Sequence, residues 1–132
     1  MAERKTRITK ASVKEFIDGV ENAQRRKDSR VVMKMMREAS GKRAQMWGPS
    51  IVGYGVRTYQ LASGKDETIC KIGFSPRAQA LTFYLGSFAK RAAILKKLGK
   101  HKVSGGGCLY INKLEDVALT LLQQLFVEAY QR

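Results

Sequence analysis

The strongest constraint on the fold lies in the middle of the chain, where four β-rich segments follow one another with only short turns between them. Aromatic, aliphatic and β-branched residues predict strands near residues 51–56, 57–62, 68–75 and 80–85. The turn at residues 63–66 predicts a hairpin, and Ser75-Pro76 breaks another strand. Consecutive strands with short connections favour an antiparallel sheet, with the helices collected on one face.

Helical spacing appears on both sides of this region. Ser12 and Glu15 form a capping box, and polar residues 25–28 separate the first helical pattern from the second. Ser40-Gly41 marks a helix end, and Asn112 predicts the cap of the last helix. Apolar residues at helical spacing predict four helices, over residues 13–20, 32–39, 87–98 and 114–129, with a short strand at 108–111 before the last.

The length and composition fit one compact domain. The chain has 132 residues, and we expect a basic flexible arm over residues 1–10 followed by a single α+β domain over 11–132. No apolar stretch approaches the ~20 residues of a membrane helix, and no secretory signal follows the charged start. Cys70 and Cys108 form no CxxC pair, so a reduced, cytoplasmic setting is the simplest expectation.

Net charge is the compositional outlier. Twenty-five Lys and Arg residues face eleven Asp and Glu residues, which gives a net charge of +14. A charge of this size attracts polyanions, so nucleic acid is the first partner to consider; the alternative is a solvated basic surface. Without a recognisable nucleic-acid motif, we expect such binding to be weak, salt-sensitive and blind to sequence. The basic residues cluster at Arg4, Lys5, Arg7 and Lys10; Arg25, Arg26, Lys27 and Arg30; Lys42 and Arg43; and Lys90, Arg91, Lys96 and Lys97.

A glycine-rich loop gives a more local anion-binding candidate. Successive N–H groups in such a turn can form an anion nest, which nearby ammonium groups would assist. The alternative is a flexible loop, and the absence of a following Gly-Lys-Ser/Thr excludes a P-loop. The candidate residues are Lys100, His101, Lys102, Gly106 and Lys113.

Aromatic residues and one arginine give a pocket candidate. They could enclose a planar or anionic small molecule, or they could pack between the sheet and the helices. These residues are Trp47, Tyr54, Arg77, Tyr84 and Tyr110.

The sequence gives no spatial link between a cysteine and His101, so no nucleophile–base pair can be drawn. We therefore expect a non-enzymatic protein.

Five short motifs resemble the YdhG-like family of small intracellular domains. They are residues 46–55 (MWGPSIVGYG), 73–77 (GFSPR), 80–85 (ALTFYL), 98–102 (LGKHK) and 108–111 (CLYI). The resemblance covers about residues 12–130 and implies a compact α+β domain likened to frataxin. Part of the family is described as intracellular iron chaperones, which implies iron as a cargo.

In frataxin-type proteins iron is held by acidic residues of the first helix, and this resemblance implies Glu15, Asp18 and Glu21 here. Carboxylate oxygens suit such cations, but nearby Lys14 and the net charge of +14 oppose cation binding. The alternative is that these acids are solvated and Glu15 is a cap. We therefore expect a non-enzymatic binding domain, with iron handling implied by resemblance, and nucleic-acid or polyanion binding as the alternative.

Overall fold

A computed structural model describes residues 8–104 and 108–132 and confirms an α+β fold in one compact domain. Its helices are α1 (Val13–Asp18), α2 (Ala23–Ser40), α3 (Arg91–Leu98) and α4 (Leu119–Gln131). Its strands are β1 (Ile8–Thr9), β2 (Gln45–Trp47), β3 (Ile51–Tyr54), β4 (Arg57–Gln60), β5 (Asp66–Ile69), β6 (Ile72–Pro76), β7 (Leu81–Tyr84), β8 (Lys102–Val103) and β9 (Cys108–Ile111).

Seven of these strands form one antiparallel sheet in the order β1-β2-β3-β6-β7-β9-β8. Strands β4 and β5 form a separate hairpin, which confirms the turn predicted at residues 63–66. Side chains alternate between the two faces of a strand. On the sheet's helical face, buried strand residues meet the apolar stripes of the helices, so the prediction that the helices collect on one face is confirmed.

The core lies between the sheet and the helices. Phe83 is fully buried near its centre, with ring centroids 6.4 Å from Phe74 and 5.7 Å from Phe126. The strands contribute Met46, Val52, Tyr54, Ile72, Phe74, Leu81, Phe83, Leu109 and Ile111, and the helices contribute residues that include Val32, Met36, Leu122, Leu125 and Phe126. The opposite side of the sheet, which we call the outer face, carries the alternate residues Thr82, Tyr84, Tyr110 and Lys102.

Three helix starts were predicted wrongly. Helix α3 begins at Arg91 and not at residue 87, and the starts of α2 and α4 were misplaced for one shared reason. Residues 25–28 were expected to lie between helices, but α2 begins at Ala23 and includes them. Buried Arg25 and Asp28 point toward the end of β9 and bind there: Arg25 donates to Asn112 Oδ1 at 2.7 Å, and Asp28 Oδ2 accepts from Leu114 N at 3.1 Å. Asn112 therefore does not cap a helix, and a short 3-10 turn precedes α4, which begins at Leu119.

The strand predicted over residues 68–75 is two strands in different sheets. The chain leaves β5 at Ile69, passes buried Cys70 and enters β6 at Ile72.

The structure adds strands β1, β2 and β8, which the sequence did not predict. Ile8 and Thr9, assigned to the basic arm, pair with Trp47 and Met46, and the rest of the arm before Ile8 lies outside the described residues. Among the described residues, no helix is both long and apolar enough to cross a bilayer.

Candidate functional site

A cleft of about 630 Å³ opens on the outer face, near the edge formed by β7, β9 and β8. It joins residues from two groups that the sequence analysis had kept apart. The aromatic group supplies Arg77 and Tyr110, and the glycine-rich-loop group supplies Lys100, His101 and Lys102. The remaining lining residues are Ala78, Gln79, Ala80, Thr82 and Asn112.

One wall is the turn between β6 and β7, and Arg25 holds it from below. Arg77 N donates to Ala80 O at 3.0 Å and closes the turn. The guanidinium of Arg25 donates to Arg77 O at 2.9 Å and to Ala78 O at 2.7 Å. Its second terminal nitrogen, Nη2, donates to Asn112 Oδ1 at 2.7 Å. Arg25 is only 7% exposed, so this cation belongs to the support of the cleft.

The opposite wall begins at Gly99, whose φ of 121° disfavours any residue with a side chain. A Cβ atom there would also overlap Asp116 O and lie 3.1 Å from Val117 Cα. Lys100 N donates to Asp116 O at 3.1 Å, which fixes the start of the wall. His101 Nδ1 lies 2.7 Å from Gly99 O, and because a carbonyl can only accept, Nδ1 carries a proton.

The charge in the cleft has one sign. Arg77, Lys100 and Lys102 are exposed and His101 is half-buried, while no Asp or Glu of residues 8–104 and 108–132 lines the cleft. In the described parts of the chain, no ion pair neutralises any of the three cations. Like charges gathered without counter-charges repel one another, and a bound anion would relieve that repulsion.

Two half-buried tyrosines lie on this part of the outer face. The strand register places Tyr110 between Thr82 on β7 and Lys102 on β8. Tyr84 follows Thr82 as the next residue of β7 on the outer face, and its hydroxyl accepts a long 3.5 Å hydrogen bond from Arg77 Nη1. Burial raises the pKa of Tyr84, although the charge of Arg77 opposes this, so the phenol is neutral at physiological pH.

Trp47 and Tyr54, which we predicted as pocket residues, belong to the interior instead. Each is 1% exposed, and neither lines the cleft. The indole of Trp47 packs closely over Gly53, whereas Tyr54 points to the helices and donates from its hydroxyl to Met33 O at 3.1 Å. Both lie on β2 and β3, on the far side of β6 and β7 from the cleft, and their bulk is used in packing.

Two members of the predicted anion site are not placed in the cleft. Gly106 lies outside the described residues. Lys113 is exposed beyond the end of β9 and is not one of the lining residues. Nothing in the polar segment 25–28 marks Arg25 as a buried support of the cleft, and Asn112 was predicted only as a helix cap.

The acidic residues of α1 and the following turn do not assemble into a metal site. Asp18 binds Lys14 and Arg30, each at 2.8 Å, and these hydrogen bonds, that of Lys14 first, lower the pKa of its carboxyl group. Glu15 and Glu21 line a second cleft. Within residues 8–104 and 108–132, no group of three or more His, Cys, Asp or Glu side chains could hold a metal ion. Glu15, Asp18 and Glu21 are therefore not grouped as one joint metal site in this structure.

Comparison with protein-family models, with curated proteins and with solved structures finds no match to this chain.

Proposed function

We propose that this chain is a binding domain that holds a phosphate-bearing anion in the cleft between Arg77 and Lys102. The observation that carries the proposal is the convergence, among the described residues, of three cations without an ion pair and an imidazole in one recess whose described lining includes no carboxylate. Their different geometries suit a phosphate group, which offers several oxygen acceptors. The planar arginine fork can bind two oxygens at once, and the ammonium groups act as point charges.

The support beneath the cleft favours binding by a preformed site. Arg25 fixes Arg77, Ala78 and Asn112 through their oxygen atoms. Lys100 is fixed from the other side by Asp116 O. These hydrogen bonds fix the backbone segments that carry the cations, so the segments need little reorganisation when the ligand arrives, and this raises affinity.

The proposed role is non-enzymatic and cytoplasmic. Burial raises the pKa of the Cys70 thiol to about 11, so this group is not an activated nucleophile at neutral pH. Both Cys70 and Cys108 are free thiols, which supports a reducing compartment. Membership of the YdhG-like family stays a prediction based on the five motifs, and iron handling is the weaker candidate because Asp18 is engaged by Lys14 and Arg30.

The test is a titration with inorganic pyrophosphate followed by the backbone amide signals of the labelled protein. We expect saturable shifts centred on residues 77–82 and 100–102. The double variant Lys100→Gln/Lys102→Gln should weaken the affinity at least tenfold, because it removes two of the converging charges.

The matched control is Lys27→Gln/Lys34→Gln, which makes the same change in net charge at exposed positions on α2. We expect it to change the affinity less than twofold. If both double variants lose affinity equally, or if the shifts are spread over the whole surface, binding reflects net charge alone and the cleft is not the site.

A further inference from the structure

The aromatic ring in the cleft suggests what the anion carries. Tyr110 lies on β9, flanked in register by Thr82 on β7 and by Lys102 on β8. Adjacent strands are about 4.8 Å apart, so the side chains of Tyr110 and Lys102 leave the backbone at neighbouring positions on one face of the sheet. Tyr110 is half-buried and lines the cleft, so part of it faces the space that a ligand would fill.

The cations lie on both sides of this ring. Arg77 belongs to the β6–β7 turn, on the β7 side of Tyr110, and Lys102 belongs to the edge strand on its other side. Lys100 and His101 continue the basic wall next to Lys102. An aromatic platform between cations matches a chain in which flat bases alternate with phosphates, because bases stack on tyrosine rings while the backbone follows positive charge.

The shape of the surface favours one strand over a duplex. Reading a duplex in its major groove requires an element that protrudes into the groove, such as a helix or a two-stranded ribbon. The cleft is a recess on a sheet face, and its volume of about 630 Å³ falls within the range of ordinary ligand sites. A base can enter such a recess only when it is not already stacked inside a double helix.

We propose that the cleft binds single-stranded nucleic acid, with one base stacked on Tyr110 and the adjoining phosphates contacted by Arg77 and Lys102. This rests on the proposed function and names its ligand class. Base stacking on the ring makes binding tolerant of sequence, while the phosphate contacts make it sensitive to salt. The wider charge of +14 would steer the strand toward the cleft without selecting it over a duplex.

The test uses a fluorescein-labelled strand of about 15 nucleotides of mixed sequence, within the range of known site sizes, and the duplex of the same sequence. Fluorescence anisotropy at about 50 and 200 mM salt gives both affinities and their salt dependence. We expect the strand to bind at least tenfold more tightly than the duplex at both salt concentrations. Equal or tighter binding of the duplex would overturn the inference.

Variants at Tyr110 separate stacking from charge. Tyr110→Ala should weaken binding of the strand roughly five- to hundredfold, the effect of losing one stacked base, and should weaken it more than it weakens binding of pyrophosphate, which has no base to stack. Tyr110→Phe keeps the ring and should retain strand binding, and it remains informative if the alanine variant folds poorly. If the folded Tyr110→Ala protein binds the strand as before, or if Tyr110→Phe loses binding, stacking on this ring is excluded.

The lysines give an independent measure. Lys100→Gln/Lys102→Gln should reduce the salt slope for the strand by about 0.7 for each phosphate that a lysine no longer neutralises, whereas Lys27→Gln/Lys34→Gln should leave it unchanged. If pyrophosphate still binds saturably in the cleft, but neither the Tyr110 variants nor the lysine variant changes the binding of the strand, only the nucleic-acid inference fails. If pyrophosphate does not bind there, the proposed function fails as well.

Discussion

The buried Arg25 guanidinium donates a 2.9 Å hydrogen bond to the backbone carbonyl of Arg77, across 52 positions of sequence. Arg25 thus holds the backbone of Arg77, and the side chain of Arg77 lines the cleft. The fork of Arg25 also binds Ala78 O at 2.7 Å and Asn112 Oδ1 at 2.7 Å, so it joins α2 to two separate parts of the cleft.

Replacing Arg25 by lysine should therefore loosen the cleft without changing the net charge. An ammonium group cannot reproduce the planar fork, so at least one buried oxygen would lose its donor. We expect the free energy of unfolding in urea to fall by about 2–3 kcal/mol. Pyrophosphate affinity should fall too, although Arg25 does not line this cleft.

The matched control for this change is Arg30→Lys, because Arg30 is exposed and pairs with Asp18 at the surface. Its effect on stability should be no more than about 0.5 kcal/mol. Equal destabilisation by the two substitutions would mean that the buried fork contributes nothing specific.

Gly53 is required by the close approach of Trp47. A Cβ atom on Gly53 would clash with Trp47 Cδ1 and lie 2.6 Å from Cys70 Cβ, and both neighbours are buried. Gly53→Ala should therefore cost about 1–3 kcal/mol, the usual result of overpacking, and shift the fluorescence spectrum of the single tryptophan. At Gly19 the nearest atom would be an ordinary 3.4 Å away, so Gly19→Ala should change stability by less than about 0.5 kcal/mol. A neutral Gly53→Ala would show that the indole can move aside.

Tyr54 should make the fold less stable at alkaline pH. Burial raises the pKa of its phenol above the ordinary value of 10.0, so the unfolded chain loses this proton first. The unfolded state then holds fewer protons, and this group lowers the free energy of unfolding as the pH rises above 10, by about 1.4 kcal/mol per unit. Urea unfolding at about pH 9 and pH 11 measures the loss.

Tyr54→Phe removes both the titration and the hydrogen bond to Met33 O. We expect it to cost about 1 kcal/mol at pH 9 and to decline less than the original protein between pH 9 and pH 11. Parallel declines in the two proteins would show that Tyr54 is not the group responsible.

Cys70 should be slow to alkylate in the folded protein. Burial raises the pKa of its thiol from 9.0 to about 11, which lowers the thiolate fraction near neutral pH about a hundredfold. Mass mapping after iodoacetamide treatment should show Cys70 reacting at least that much more slowly in the native protein than in urea. A native rate within tenfold of the unfolded rate would indicate that the thiol becomes accessible through local opening.

The pattern of apolar residues predicted the fold class, because the apolar residues of the strands at residues 51–54 and 81–84 can be read directly from the sequence. The roles of polar residues depend on distant partners and could not be predicted in the same way. Arg25 and Arg26 are adjacent and alike in sequence, yet Arg25 binds residues more than fifty positions away, while Arg26 binds the nearby Val20 O at 2.7 Å.

The candidate site shows the same limit. The sequence pointed to Arg77, Tyr110 and the 100–102 segment as members of two separate sites, and only the strand order joins them by placing β7, β9 and β8 side by side. Trp47 had the same aromatic character as Tyr110, but it is buried where its indole packs closely over Gly53. Composition predicts that aromatic residues provide apolar surface. It does not determine which aromatic side chains stay accessible to a ligand.

The edge strand β8 is two residues long, with both residues exposed, and its Lys102 is also part of the cleft. A short, charged outer strand is a poor template for pairing with another molecule, so this lysine opposes self-association as well as lining the recess. A single side chain can then serve colloidal stability and recognition together. Replacing Lys102 by a neutral residue would therefore remove one protection against edge-to-edge pairing together with one charge of the cleft.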